Sequence, residues 1–456
     1  MNYDIVFIGG GPAGYEGAIA AAKAGLHVAV IEPERLGGTC LQRGCIPTKA
    51  ILHSLKAVKM AREWGRLGIA GGEVKPLPEA IAARKNRIVA KLTKGIELLF
   101  KQNGVEWLHG RGQVCGSGRV LLDGEREITA ASIVLATGSR PAELPFLPRD
   151  GKTVLVSDDL LSLSPIPRKM LVIGAGAVGL EWALIYSLLG TEVTVAEVMD
   201  EVLPGSDPEA AAILRNELVK QGLTIHTGVR LENPRHGEGV TLTLRQGEKT
   251  WDETFSHVLL SVGRIPRSEG TFIASSAPLA LDARGHFVVD ANLTTSLPGV
   301  YACGDVSGPP LLAHKASHQA IAVVDWIARR QPVHLPPIPA AVFTFPELAN
   351  VGMSEAEALR QGIPAVIGRF PYSAGSRANA VDEKAGLVKV VTAPDGTVLG
   401  ATIVGAEAGE LMPLLAYAVA QRMPVKAFRD MVFIHPTLSE NLWEAAGMAG
   451  GFAIHL

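Results

Sequence analysis

The chain has 456 residues, 47% of them hydrophobic, which is enough for several domains, each with its own core. A formal net charge of −2 gives no basis for nucleic-acid binding or a polybasic membrane tether, and four cysteines in this length do not make a secreted disulfide framework. No basic region precedes the first apolar run and no apolar run reaches membrane-spanning length, so a cytoplasmic protein is expected.

The first strand, Ile5 to Ile8, opens onto Gly9-Gly10-Gly11-Pro12-Ala13-Gly14, a G-x-G-x-x-G turn. An alanine-rich helix follows to Ala24, Gly25 closes it, and a second strand from His27 ends at Glu32. Each position has a mechanical reason. Gly9 permits the tight turn, Gly11 lets the backbone approach a pyrophosphate, and Gly14 lets the helix pack closely on the strand. Glu32 is placed to accept hydrogen bonds from a ribose.

The segment from Gly37 to Ile46 comes next and holds Cys40 and Cys45, five positions apart, followed by Pro47-Thr48-Lys49. In a reducing compartment a close pair is redox-active or metal-binding before it is a static staple. Pro47 suits the first turn of a helix through Leu52, which places Cys45 at the helix N-terminus, where the partial positive charge favours a thiolate. Ala131 to Ser139 then reads as a buried strand ending in the turn Thr137-Gly138.

The nucleotide device recurs. Met170 to Ile173 is a strand, Gly174-Ala175-Gly176-Ala177-Val178-Gly179 is the turn, a helix runs to about Leu189, and the strand from Glu192 ends at Glu197. From third glycine to acidic residue is 18 positions in both copies. One such turn occurs by chance; two in matching strand, helix and strand context imply two dinucleotides. A carboxylate at Glu197 repels a 2′-phosphate and favours NAD over NADP. Ser256 to Arg264, with Gly263, repeats the return strand, and Leu297 to Asp305 is a third strand-to-glycine element. Beyond the Pro336-Pro337-Ile338-Pro339 linker the texture becomes α+β: strands at Gly386 to Thr392 and Val398 to Val404, helices at about Gly409 to Arg422 and Glu440 to Met448. His109, His226, His236 and His257 show no metal-ligand spacing, and Cys115 reads as an isolated free thiol.

In this order, over essentially the whole length, these segments resemble the dimeric flavoprotein disulfide reductases, and among them the dihydrolipoamide dehydrogenase branch. The resemblance rests on Gly37-Gly38-Thr39-Cys40 through Cys45-Ile46-Pro47-Thr48-Lys49, on Glu181 two residues past the second turn, at a position that the resemblance pairs with Lys49 beside the flavin, on Cys303-Gly304-Asp305, on Leu312-Ala313-His314-Lys315-Ala316 and on His435-Pro436-Thr437-Leu438-Ser439-Glu440. It implies an α/β fold of two Rossmann-like dinucleotide-binding domains plus a C-terminal α+β dimerisation domain. The expected boundaries are 1–143 and 265–335 for the FAD domain, 144–264 for the NAD domain and 336–456 for the interface domain. The implied FAD set is Gly9, Gly11, Gly14, Glu32, Lys49, Gly112, Thr137, Gly138, Asp305 and Ala313; the NAD set is Gly174, Gly176, Gly179, Glu181, Glu197 and Gly263.

The implied catalytic residues are Cys40, Cys45, His435 and Glu440. Cys40 would exchange with the thiol substrate and Cys45 would face the flavin as a thiolate. His435 would be the base, oriented by Glu440 and acting in the partner's site of a homodimer. The implied activity is NAD-dependent oxidation of dihydrolipoyl groups, free or on a separate lipoyl-bearing carrier, as the dehydrogenase component of lipoate-dependent complexes. The alternatives are an NAD(P)H-dependent reductase of another small disulfide, and a chain acting mainly as a docked subunit. A mercuric reductase should carry a C-terminal cysteine pair, and no cysteine follows Cys303. The chain departs from the family pattern at Gln42, Cys303, Arg267, Gly375 and Phe433-Ile434, and none of these removes a catalytic group.

Overall fold

A computed structural model describes residues 2–455. Three sheets carry most of the chain. The first has seven strands, built outward from Tyr3–Ile8, which pairs in parallel with Val28–Ile31 on one side and Arg126–Leu135 on the other. Arg126–Leu135 is long enough to serve twice. Its first half pairs antiparallel with Arg119–Leu122, while its second half pairs in parallel with Tyr3–Ile8 and with Val300–Ala302. The third strand-to-glycine element of the sequence thus returns to the first sheet after the whole second sheet has been built. The Ala- and Gly-rich composition of the helix Pro12–Lys23 follows from close packing: a Cβ at Gly17 would meet Phe7 at 2.6 Å and Ala320 of the helix Ala313–Arg329 at 2.9 Å.

The second sheet has five parallel strands, in the order Thr224–His226, Glu192–Ala196, Lys169–Ile173, His257–Leu260 and Val154–Val156. The central strands are nearly continuous apolar runs because both faces are covered: helices such as Ala177–Leu188 and Pro208–Lys220 pack on one, and Val229, Val240, Leu242, Leu244 and Phe255 of an antiparallel sheet pack on the other. Between its last two strands in sequence comes an antiparallel sheet of Val229–His236, Val240–Gln246 and Lys249–Phe255, which lies outside the expected elements although Val240-Thr241-Leu242-Thr243-Leu244 alternates apolar and polar as a strand does. Also unanticipated is the 26-residue helix Pro78–Asn103, packed against the helix Cys45–Arg62.

The third sheet is antiparallel: Ala340–Val342, Glu347–Gly352, Val398–Gly405, Leu387–Thr392 and Val366–Pro371, with the helices Ala408–Ala420 and Glu440–Gly450 packed on it. The expected α+β texture beyond the proline linker is therefore present. A two-stranded ribbon, Ser139–Pro141 with Arg264–Pro266, ties the turn at the end of one nucleotide sheet to the turn at the end of the other.

Candidate active site

Both glycine turns are built as the sequence requires. Gly9 lies at φ +111° and a Cβ there would sit 2.3 Å from the Ala136 carbonyl oxygen; one on Gly14 would sit 1.8 Å from the Gly9 carbonyl oxygen. Gly174 repeats the first at φ +99°, 2.6 Å from the Ser261 oxygen, and Gly179 the second, 2.0 Å from the Gly174 oxygen. The middle glycines differ in kind. Gly176 has nothing within 4 Å, and Gly11 has only the Gly38 Cα at 3.7 Å, so their open face is a cradle for a ligand and not a packing necessity. The acidic ends also match. Gly10 N–H donates to Glu32 Oε2 at 2.7 Å and Ala175 N–H to Glu197 Oε2 at 2.7 Å; Glu34 N–H and Met199 N–H each donate to the other oxygen at 2.9 Å. Burial holds the Glu32 carboxyl above the usual carboxylate range in spite of the Gly10 hydrogen bond. Each carboxylate is locked to its turn with lone pairs to spare for ribose hydroxyls. These features fit two dinucleotides.

A cavity of about 710 Å³ opens at the second turn, lined among others by Gly174, Gly176, Glu197, Gly263 and Arg264, a size suited to a nucleotide. Glu181, expected both among the NAD residues and as the partner of Lys49, lies buried on the helix Ala177–Leu188 and turns away from this cavity toward Lys49.

The cysteine segment is strapped directly onto the first turn. Gly37 N–H donates to the Gly10 carbonyl at 2.8 Å, and Gly38, at φ +56°, lies so close that a Cβ would meet the Gly11 Cα at 2.5 Å. Cys40 sits on the one-turn helix Gly38–Gln42, half-buried; Cys45 is the first residue of the helix Cys45–Arg62 and is exposed. The helix starts two residues before Pro47. A hydrogen bond from the Cys40 thiol lowers the Cys45 pKa to about 7, outweighing the desolvation that the surrounding protein atoms impose on the sulfur, with help from the Lys49 charge and its own backbone N–H. The same hydrogen bond and burial push Cys40 upward. Cys45 is thus the better thiolate of the pair. The Lys49 ammonium donates to both Glu181 carboxylate oxygens at 2.8 Å and stands 4.5 Å from the Phe343 ring centre, while Phe343 N–H donates to Glu181 Oε1 at 3.0 Å. Gln42, one of the departures, reaches Leu36 O at 2.6 Å and Thr93 Oγ1 at 2.8 Å on the unanticipated long helix.

The remaining flavin-side residues surround the ribbon that joins the two sheets. Thr137 Oγ1 donates to Arg267 O at 2.6 Å, and Arg267 N–H donates to Gly138 O at 2.9 Å, so the departure at Arg267 is a backbone contact of the turn. Ser139 Oγ donates to Asp305 Oδ2 at 2.5 Å and receives Arg264 Nε at 2.7 Å. Arg264, Ser139 and Phe343 were not singled out from sequence. Gly263-Arg264 marked the first as a strand end, whereas nothing local to Phe343 signals its place beside Lys49. Ala313 begins the helix Ala313–Arg329, and buried Lys315 donates to the Gly304 and Gly308 carbonyls that bracket Asp305. Gly112 is a buried strand position packed against Ile8 and Ile31, where a Cβ would approach to 3.2 Å.

His435 is separate from this assembly. Its Nδ1 lies 3.0 Å from Glu440 Oε1 on an exposed segment, and Glu440 Oε2 accepts Thr437 N–H at 2.8 Å. Among the described residues no hydrogen bond or ion pair joins His435 to the cysteine segment. Gly375 has a steric reason: a Cβ there would meet the buried Asn441 Oδ1 at 2.3 Å.

The description "pyridine nucleotide-disulphide oxidoreductase" matches residues 3–320, and its dimerisation domain matches residues 338–446. The chain belongs to this family. Similar relatives are a dihydrolipoyl dehydrogenase of Thermus scotoductus, 40% identical over 100% of this chain and 99% of that one, and dihydrolipoyl dehydrogenase 3 of Pseudomonas putida, 38% identical over 100% of both. Among solved structures, LpdA from Mycobacterium tuberculosis superposes with a TM-score of 0.88 at 30% identity, covering 97% of this chain and 98% of that one. The HOCl-induced flavoprotein disulfide reductase RclA from Escherichia coli gives 0.84 at 26% identity, covering 96% and 98%. The expected fold, two nucleotide sheets with a dimerisation domain, is that of this oxidoreductase family. No helix among the described residues is long and apolar enough to cross a membrane.

Proposed function

We propose that the protein is a homodimeric NAD-dependent dihydrolipoyl dehydrogenase. The observation that carries this is the Cys40–Cys45 pair at the start of the helix Cys45–Arg62, strapped to the first glycine turn and flanked by Lys49 and Glu181. Gly9, Gly11, Gly14, Glu32, Lys49, Gly112, Thr137, Gly138, Asp305 and Ala313 would hold FAD; Gly174, Gly176, Gly179, Glu197 and Gly263 would hold NAD, and Glu181 acts through Lys49. The domain division is 1–143 with 265–335, 144–264, and 336–456.

In the oxidised pair a dihydrolipoyl thiolate attacks Cys40 Sγ, the S–S bond breaks, and Cys45 leaves as the thiolate its surroundings favour. The second substrate thiolate attacks the mixed disulfide, releases Cys40 and closes the lipoyl ring. His435 of the partner subunit takes the substrate proton, and Glu440 fixes the ring tautomer and stabilises the imidazolium. Lys49, held by its ion pair with Glu181, keeps its ammonium charge beside the Cys45 thiolate. FAD and NAD, when bound, supply the two-electron path that returns the dithiol to the disulfide. Lipoyl-bearing carrier proteins are the expected partners, met through the exposed His435 segment of one subunit and the Cys40 face of the other.

Steady-state NADH formation from dihydrolipoamide tests the reading, with Cys45→Ser beside wild type. The variant should be inactive in this assay; equal rates would remove the dithiol from the mechanism. Wild type that reduces another disulfide faster than it turns over lipoamide would move the substrate assignment while leaving the dithiol in place.

A further inference from the structure

Lys389 lies in the strand Leu387–Thr392 of the dimerisation domain, far in sequence from either glycine turn, and its side chain is only 3% exposed. Its ammonium meets three carboxylates: Asp207 through both oxygens at 2.9 Å, Glu209 at 2.6 Å and Glu355 at 3.0 Å. Arg369 joins the same group, at 3.1 Å from Glu209 and in contact with Glu355. Of these, Asp207 is the most enclosed, at 1%. It also caps the helix Pro208–Lys220 by accepting the N–H groups of Glu209 and Ala210 at 3.1 Å.

The chain between Glu197 and Asp207 is one wall of the second nucleotide cavity. Leu203 N–H donates to the Ala175 carbonyl at 2.9 Å, Ala175 N–H in turn donates to Glu197 at 2.7 Å, and Pro204 lines the cavity together with Gly174 and Gly176. The glycine turn is therefore gripped from both ends of this loop, Glu197 at its start and Leu203 near its end. The loop's far end is anchored through Asp207 to an ammonium of another domain.

We propose that Lys389 is a positioning residue for the pyridine-nucleotide site: through Asp207 it fixes the 198–206 loop, and so the Gly174–Gly176 cradle, from the dimerisation domain. This rests on the second turn holding NAD. The Lys389 charge is strengthened by its three carboxylates even though burial opposes it, so the ammonium is the form present at working pH. Replacing it with an apolar chain leaves three carboxylates facing one guanidinium, and Asp207 is then held only by its own helix.

The test uses the FAD-loaded dimer of Lys389→Met and, as a second variant that keeps the helix cap but drops the charge, Asp207→Asn. Two quantities are read: calorimetric binding of NAD to the oxidised enzyme, and the separate KM values for NAD and dihydrolipoamide. The expected result is an NAD dissociation constant and KM raised on the order of fivefold, with the dihydrolipoamide KM and the flavin spectrum unchanged. Unchanged NAD binding in whichever variant folds, or equal shifts in both KM values, overturns the proposal and leaves the cluster a purely structural clamp. Wild-type enzyme that binds no NAD would instead overturn the assignment of the second turn, a result the variants cannot imitate.

Discussion

Replacing Lys49 with methionine is the sharpest test of how the site makes its thiolate. Cys45 is held at about 7 against an ordinary value of 9.0, first by the Cys40 hydrogen bond and then, against desolvation of the sulfur, by the Lys49 charge. Two units correspond to ~2.7 kcal/mol, and at pH 7 they raise the thiolate fraction from about 1% to about one half. Because the pKa is lowered, the reactive form is present above pH 7 and is lost as the pH falls through it. Lys49→Met removes a nearby opposite charge, worth roughly one unit or more at such range. It also strips Glu181 of two 2.8 Å hydrogen bonds, leaving it with the Phe343 N–H and turning a neutralised carboxylate into a bare negative charge near the thiol. Both changes push the same way.

The assay is the pH dependence of the long-wavelength absorbance that the Cys45 thiolate gives beside the flavin in the reduced holoenzyme, followed over roughly pH 5.5 to 9.5, a window that brackets both values. The midpoint should move from about 7 to about 8 or higher in Lys49→Met and stay near its wild-type position in Lys49→Arg. A midpoint that does not move in Lys49→Met would show that the Cys40 hydrogen bond and the helix N-terminus suffice, and the electrostatic role given to Lys49 would be refuted.

The two glycines of the second turn should separate fold from ligand. Gly179→Ala forces a Cβ to 2.0 Å from the Gly174 oxygen and should lower both thermal stability and NAD binding, whereas Gly176→Ala meets no atom within 4 Å and should leave the melting temperature within about 2 °C while still weakening NAD binding, both readable by thermal scanning and calorimetry. Glu440→Gln keeps the shape beside His435 but removes the charge 3.0 Å from its ring, so kcat/KM for dihydrolipoamide should fall on the order of 10- to 100-fold with an unchanged flavin spectrum. Cys303 is fully buried and its thiol is pushed up to about 12, so enzyme whose Cys40–Cys45 pair has been reduced should be alkylated in that pair and not at Cys303 until it is unfolded, and Cys303→Ala should retain activity.

Legible in the amino-acid order alone was whatever lies within a few tens of residues. A glycine turn, its following helix and its acidic strand end are local geometry, so Gly9 to Glu32 and Gly174 to Glu197 could be read as two copies of one device, and the structure repeats even the hydrogen bonds of the carboxylates. The five-residue spacing of Cys40 and Cys45, and the proline that favours a helix after them, were equally local. The long helix Pro78–Asn103 and the three-stranded insert at Val229–Phe255 carry no motif of this kind, and both were missed. The pairing of Glu181 with Lys49 across 132 residues was implied by the family resemblance; other contacts between distant segments came only with the folded chain: Phe343 beside both, Arg264 on Ser139 and Asp305, and Lys389 of one domain on Asp207 of another across 182. The physical reason is that period and spacing report which way a side chain faces within its own element. Which buried charge it meets is set by how the sheets pack, and that packing is a property of the whole chain.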